Sequence, residues 1–181
     1  MTKRVAEFKA LGVTIVTCGR SPERPDSTGD YLHQALNDAG HEVIARHRVP
    51  HNRHQIRAVV SACIVEPRVD VVVLNGGTGF AQDNQTVQAI TPLFDRMISG
   101  FGEIFRQLSF AEIGGASIQS EATAGLANGT LIVALPGAQQ AAALAWERIL
   151  KNQLDGRTGP CNFIPHLVSS LGPCRKSELT K

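Results

Sequence analysis

The chain has 181 residues, 43% of them hydrophobic and 19% charged, with a formal net charge of +2. This is ordinary globular usage, which excludes a disordered or fibrous chain, and the charge lacks the basic excess with which nucleic-acid binders neutralise phosphates. The length suits one compact core, so a single domain over 1–181 is expected, with an N-terminal arm at 1–11 and a C-terminal tail at 168–181.

Lys3, Arg4, Glu7 and Lys9 interrupt the first residues, which therefore do not spell a secretory signal, and a cytoplasmic location is expected. Residues 12–18 (GVTIVTC) form a short β-branched run that reads as a strand, and the turn formers at 19–28, among them Pro22, Pro25 and Asp26, read as a loop. From Thr28 the apolar positions Tyr31, Leu32, Ala35, Leu36 and Ala39 recur at helical spacing, with Ser27 or Thr28 to cap the start and Gly40 to end it. Residues 42–49 read as a second strand. Asn52 then caps a helix whose apolar face is Ile56, Val59, Val60, Cys63 and Ile64, with Gln55 placed as in a capping box.

Residues 69–74 (VDVVVL) have the composition of a parallel strand buried on both faces. The run is interrupted by Asp70 and far short of the ~20 residues that cross a bilayer, so no membrane partner is expected. The run ends at Asn75-Gly76-Gly77-Thr78-Gly79. An apolar amphipathic segment follows, carrying Phe101, Phe105 and Phe110 at helical spacing. Such a face needs a cover, from the subunit's own core or from another subunit. After a small-residue region at 114–129, residues 130–135 (TLIVAL) read as another buried strand, ending at Pro136-Gly137. Residues 139–154 read as a helix with Ala142, Trp146, Ile149, Leu150 and Leu154 inward.

Strands alternating with helices predict an α/β fold, a three-layer sandwich around a mostly parallel sheet, with ligands beyond the carboxyl ends of the strands. The loops after Leu74 and Leu135 should share that crevice. Glycines at 76, 77 and 79 let backbone N–H groups approach an anion, although the same spelling suits a tight strand-to-helix turn that only needs positive φ. No Gly-Lys-Ser/Thr closes the loop as in a P-loop, and no third glycine completes a dinucleotide fingerprint. A metal-nucleotide site needs a carboxylate, for which Asp83 is nearest and Asp26 a second candidate, Asp83 reading equally as a helix N-terminal residue. His47, His51 and His54 are separated by Pro50 and a strand-to-helix junction, so surface histidines are expected rather than a shared metal face. The four cysteines, Cys18, Cys63, Cys161 and Cys174, form no Cys-x-x-Cys pair and are expected as reduced thiols.

The loop at 75–79, Phe94-Asp95-Arg96, Gly100-Phe101-Gly102-Glu103-Ile104-Phe105-Arg106, and Leu108-Ser109-Phe110-x-Glu112-Ile113-Gly114 together resemble the B-type proteins of molybdenum-cofactor biosynthesis. LIVALPG at 131–137, Ala145-Trp146-Glu147 and Cys161-Asn162-Phe163-x-Pro165-His166 extend the resemblance over about 12–167. It implies a molybdopterin-binding fold, self-association to trimers or hexamers, and contact with other cofactor-biosynthesis proteins. Similar proteins transfer adenylate from Mg-ATP to the terminal phosphate of molybdopterin, so Mg and ATP are implied as well.

By that resemblance, Gly76, Gly77, Thr78 and Gly79 cradle the phosphate, with Asp26, Pro136, Gly137 and Ala138 around the ligand. Asp83, Asn84 and His51 stand at or beside the catalytic positions, Asp83 doubling as metal ligand. Three departures qualify the catalytic expectation. His51 follows Pro50 where the family is acidic, Asn84 falls where a second acidic residue is expected, and Ala138 replaces a serine. The reading is a molybdopterin-binding protein with weak or absent adenylyl transfer. The alternatives are an active Mg-ATP-dependent adenylyltransferase using Asp83 and Asp26, and a binding module for another phosphate-bearing ligand.

Overall fold

The computed structural model describes residues 7–19 and 24–167. The expectations for residues 1–6 of the arm, for the loop at 20–23, for Cys174 and for the tail at 168–181 lie outside the described residues. A six-stranded sheet runs in the order β2 (Glu42–Val49), β1 (Gly12–Cys18), β3 (Val71–Asn75), β6 (Thr130–Leu135), β5 (Thr123–Ala127), β4 (Arg96–Met97). Strands β1, β2, β3 and β6 are mutually parallel. The antiparallel β5 and β4 complete the far edge. Helix α1 (Ser27–Asp38), α4 (Ser99–Ile113) and α5 (Gln139–Ala145) cover one face, packing Leu32, Leu36, Phe105, Ala142 and Trp146 against Val13, Ile15, Val71 and Val133. On the other face, α2 (Arg53–Val65) and α3 (Thr86–Ile90) pack Ile56, Val60, Ala89 and Ile90 against Val16, Val72 and Ile132. The result is the expected three layers, and β3 and β6 are buried along their whole length because both faces are covered.

Several details differ from the sequence reading. The third strand starts at Val71 rather than at residue 69; Asp70 just before it is buried, its N–H donating to Gly12 O at 2.8 Å, its carbonyl accepting the Leu131 N–H at 2.9 Å and its carboxylate accepting the Gly12 N–H at 3.0 Å. Helix α1 is capped by Asp26, not by Ser27 or Thr28: the Asp26 side chain accepts the Gly29 N–H at 2.9 Å. Leu11 belongs to the core rather than to an arm. Phe101 and Phe105 are buried in the subunit's own core, whereas Phe110 is 62% exposed, so only the last of the three lacks a cover within the chain. The expected helix at 139–154 passes through a π-helical turn at Trp146–Leu150 before α6 (Lys151–Gln153), and its five apolar positions all point inward. Among the described residues no helix is long and apolar enough to cross a membrane.

At the end of the sheet that carries the amino termini of the parallel strands, His41 is buried between Phe8 and Trp146. Its Nδ1 accepts the Leu11 N–H at 3.3 Å, which requires the imidazole to be neutral there. Burial lowers its pKa below 6.5, with Asp155 and Asp70 acting in the opposite direction. Below 6.5 the unfolded chain therefore takes up a proton that the folded chain resists, so this contribution to stability is complete above 6.5 and is lost as the pH falls. Between pH 6.5 and 5.5 unfolding free energy should fall with a slope of at most about 1.4 kcal/mol per pH unit for this one proton. His41→Gln should flatten that slope in denaturant titrations, and an unchanged slope would contradict the assignment.

Candidate functional site

Parallel pairing places Thr17, Asn75 and Leu135 side by side at the carboxyl ends of β1, β3 and β6. Beyond them opens a cleft of about 660 Å³, floored by the loops at 76–79 and 136–138. The two loops touch: Gly137 is packed so closely on Gly76 that an added Cβ would lie 3.2 Å from the Gly76 Cα. Gly76 and Gly77 have φ of +91° and +67°, a region that side chains rarely adopt. Both glycines are therefore demanded by the turn itself, whatever binds there.

The polar groups of the loop divide cleanly. Its carbonyls are tied back: Gly76 O accepts the Thr86 hydroxyl at 2.7 Å, Gly77 O the Thr86 N–H at 3.1 Å, and Thr78 O the Glu121 N–H at 3.0 Å. The Gly76 N–H donates to Leu135 O at 3.0 Å, so it is not open to a ligand, contrary to the expectation that all four N–H groups take part. The N–H groups of Gly77, Thr78 and Gly79 make no hydrogen bond within the described residues. With the repulsive carbonyl oxygens turned into the protein and three donors left open, the loop favours an anion.

Both residues that stand at the expected acidic positions flank this loop. His51 is not simply a surface histidine, unlike the exposed His47 and His54. It lines the cleft, its Nε2 lying 3.3 Å from Cys18 O and 3.6 Å from where a Gly77 Cβ would be. Its Nδ1 faces Asp83 Oδ2 at 3.5 Å, an ion-pair distance rather than a well-formed hydrogen bond. Asn84 also lines the cleft, with its Nδ2 lying 3.1 Å from a Cβ built on Gly79.

The carboxylates are placed differently from the expectation. Asp83 sits in the turn before α3, not in its first turn, and its side chain pairs with His51 without lining the cleft. Asp26 does line it, but its two oxygens are engaged by the Gly29 N–H, by the Thr17 hydroxyl at 2.7 Å and by Arg46 at 3.3 Å. Among the described residues no three His, Cys, Asp or Glu side chains are grouped as a metal ion would require. An imidazole, an amide and a carboxylate already held by a guanidinium do not suit Mg²⁺, a hard cation that takes charged oxygen ligands.

Pro136, Gly137 and Ala138 lie in the cleft as expected, with Ala138 at the N-cap of α5 and no side-chain oxygen to offer there. Sequence reasoning missed the wall opposite the Gly loop, where Phe105, Ser109, Ile113 and Ala116 come from α4 and the 3-10 turn Gly114–Gln119. It also missed Thr17 and Asn75, for which a buried asparagine directly after an apolar strand was the available signal. Cys18 lines the cleft too. Burial pushes its thiol up to about 11, with a hydrogen bond to Thr86 acting against the shift, so it is protonated at neutral pH and no nucleophile.

The class to which this cleft belongs is shown by comparison with known proteins. Residues 10–156 match the family described as probable molybdopterin binding domain. Molybdenum cofactor biosynthesis protein B of Escherichia coli K12 is 48% identical over 168 residues, covering 92% of this chain and 99% of that protein. The Bacillus subtilis protein of the same name is 39% identical over 157 residues, covering 83% and 92%. Among solved structures, a molybdenum cofactor biosynthesis protein B superposes with a TM-score of 0.78 at 34% identity, covering 81% of this chain and 92% of that one. The tungsten cofactor synthesizing protein MoaB from Pyrococcus furiosus gives 0.72 at 31%, covering 78% and 91%. The chain belongs to the molybdenum cofactor biosynthesis protein B family.

The loop geometry separates the glycines experimentally. At Gly77 a side chain must take positive φ and meets Thr86 Oγ1 at 2.4 Å, whereas Gly79 has ordinary φ and only the end of the Asn84 side chain nearby. Gly77→Ala should lower unfolding free energy by about 1–2 kcal/mol or more, and Gly79→Ala by less than about 0.5 kcal/mol. Equal stability of the two variants in urea denaturation would contradict the geometry.

Proposed function

We propose that this chain serves molybdenum-cofactor biosynthesis by binding molybdopterin in the cleft, with the terminal phosphate on the N–H groups of Gly77, Thr78 and Gly79, and with weak or absent adenylyl transfer. The observation that carries the reading is the donor set around the loop. Three N–H groups of the loop make no hydrogen bond within the described residues, the Asn84 amide and the ring of His51 line the same cleft, and no unengaged carboxylate is among its lining residues. Such a set favours phosphate directly and disfavours the divalent cation through which a nucleotide is usually presented. Pro136, Gly137 and Ala138 form the neighbouring floor, while Asp26 and Asp83 act on the site through their protein partners. The reading places the protein in the cytoplasm as a subunit of a trimer or hexamer.

Two measurements test this. Purified protein mixed with molybdopterin, ATP and Mg²⁺ should bind the pterin and yield little adenylated product. His51→Asp combined with Asn84→Asp should raise transfer a hundredfold or more, because restored charge around a metal is worth several kcal/mol in the transition state. Rapid turnover by the native protein, lost on Asp83→Asn alone, would instead favour the enzyme reading.

Self-association draws support from Ile104, Phe110, Ile113 and Ile118, large apolar side chains at least half exposed on α4 and the turn after it. Light scattering at micromolar concentration should give a multiple of the 19.4 kDa subunit, and the subunit mass itself would refute it.

A further inference from the structure

The start of α1 is linked to both ligand loops through part-buried bonds, directly to one and through a relay to the other. Thr28, itself buried, donates its hydroxyl to Gly137 O at 2.7 Å and so pins the second loop. Asp26 reaches the first loop through a relay. Its Oδ2 accepts the Thr17 hydroxyl at 2.7 Å, and Thr17 Oγ1 accepts from Asn75 Nδ2 at 3.0 Å. Asn75 is 2% exposed and immediately precedes Gly76. A carboxylate can only accept, and a hydroxyl has one proton, so the sense of the relay is fixed from the Asp26 end: Thr17 must donate to Asp26 and thereby presents its lone pairs to the Asn75 amide. Arg46 closes the outer end, bridging Asp26 at 3.3 Å and Asp30 at 2.7 Å.

We infer that Asp26 and Thr28 are positioning residues, which set the two ligand loops from one helix start. Asp26 acts through Thr17 and Asn75 on the strand end that carries Gly76, and Thr28 acts on Gly137. Asp26 then contributes to ligand binding without holding a metal. The inference rests on the cleft being the molybdopterin site, but the placement of the loops can be read without any ligand.

Asp26→Asn separates the roles of this side chain. Asparagine caps a helix as well as aspartate does, and its oxygen still takes the Gly29 N–H. Its NH₂ group, however, replaces the acceptor that faces Thr17 and breaks the sense of the relay. In the ligand-free ¹⁵N-labelled protein, the amide peaks of Gly77, Thr78 and Gly79 should move in Asp26→Asn and in Thr17→Val, and return toward native positions in Thr17→Ser. The peaks of Gly137 and Ala138 should move in Thr28→Val. Molybdopterin affinity measured with EDTA present should fall about tenfold in Asp26→Asn and Thr17→Val and recover in Thr17→Ser. Unmoved loop peaks in both Asp26→Asn and Thr17→Val, or moved peaks with native affinity, would overturn the positioning role. If Asp26→Asn fails to fold, the Thr17→Val and Thr17→Ser pair decides alone. Failure of the native protein to bind molybdopterin would refute the reading of the cleft, while the ligand-free peaks would still decide the relay.

Discussion

At Gly76 three chain segments approach more closely than any side chain would allow. A Cβ there would lie 2.2 Å from Cys18 O, its N–H is bonded to Leu135 O, and Gly137 rests on its Cα. The ends of β1, β3 and β6 are thereby drawn together at one point. The chain can leave β3 only by turning through positive φ at two successive residues. That turn swings the following carbonyls toward Thr86 and Glu121 and leaves the next three N–H groups without a hydrogen bond among the described residues. The donor cradle is thus a consequence of how tightly the parallel strands converge, and the glycines are a structural demand before they are a functional one.

What the cradle receives depends on the residues beside it. Two carboxylates flanking three N–H groups would suit a metal-bridged polyphosphate, since the cation would neutralise both. Here an imidazole and an amide take those flanks, and both ring nitrogens of His51 face oxygens, Cys18 O on one side and Asp83 on the other. The acidic residues near the cleft are bound into the scaffold by Arg46, Thr17 and His51. On the functional reading proposed above, the cleft is left with a direct anion site.

Most of the fold was legible because burial on both faces of β3 and β6 demands unbroken Val, Leu and Ile, and because α1 and α2 carry their apolar residues at the helical period. The hairpin between β5 and β6 was legible too, yet went unread: Asn128 and Gly129 both adopt positive φ, as an Asn-Gly hairpin turn requires, inside what looked only like a small-residue region. The meeting of the Gly loop and the 136–138 floor in one cleft followed from strand ends, whereas His51 and Asn84 were singled out only by the family resemblance, the residues alone leaving His51 a surface histidine. The role of Asp26 was hidden, because the local pattern permits capping by Ser27 or Thr28 equally well and only the tertiary approach of Thr17 and Arg46 selects the aspartate. The cleft wall from α4 was likewise hidden, since Phe105 and Ser109 read as helix interior until the sheet places α4 beside the loops.

The most direct test of the account is a crystal structure of the protein with molybdopterin, grown with a chelator present. The expected density puts the terminal phosphate within hydrogen-bond reach of the Gly77, Thr78 and Gly79 amide nitrogens, with no ion between it and any carboxylate. A pterin bound elsewhere, or bound only when Mg²⁺ is supplied and bridged by that ion to Asp83 or Asp26, would contradict it.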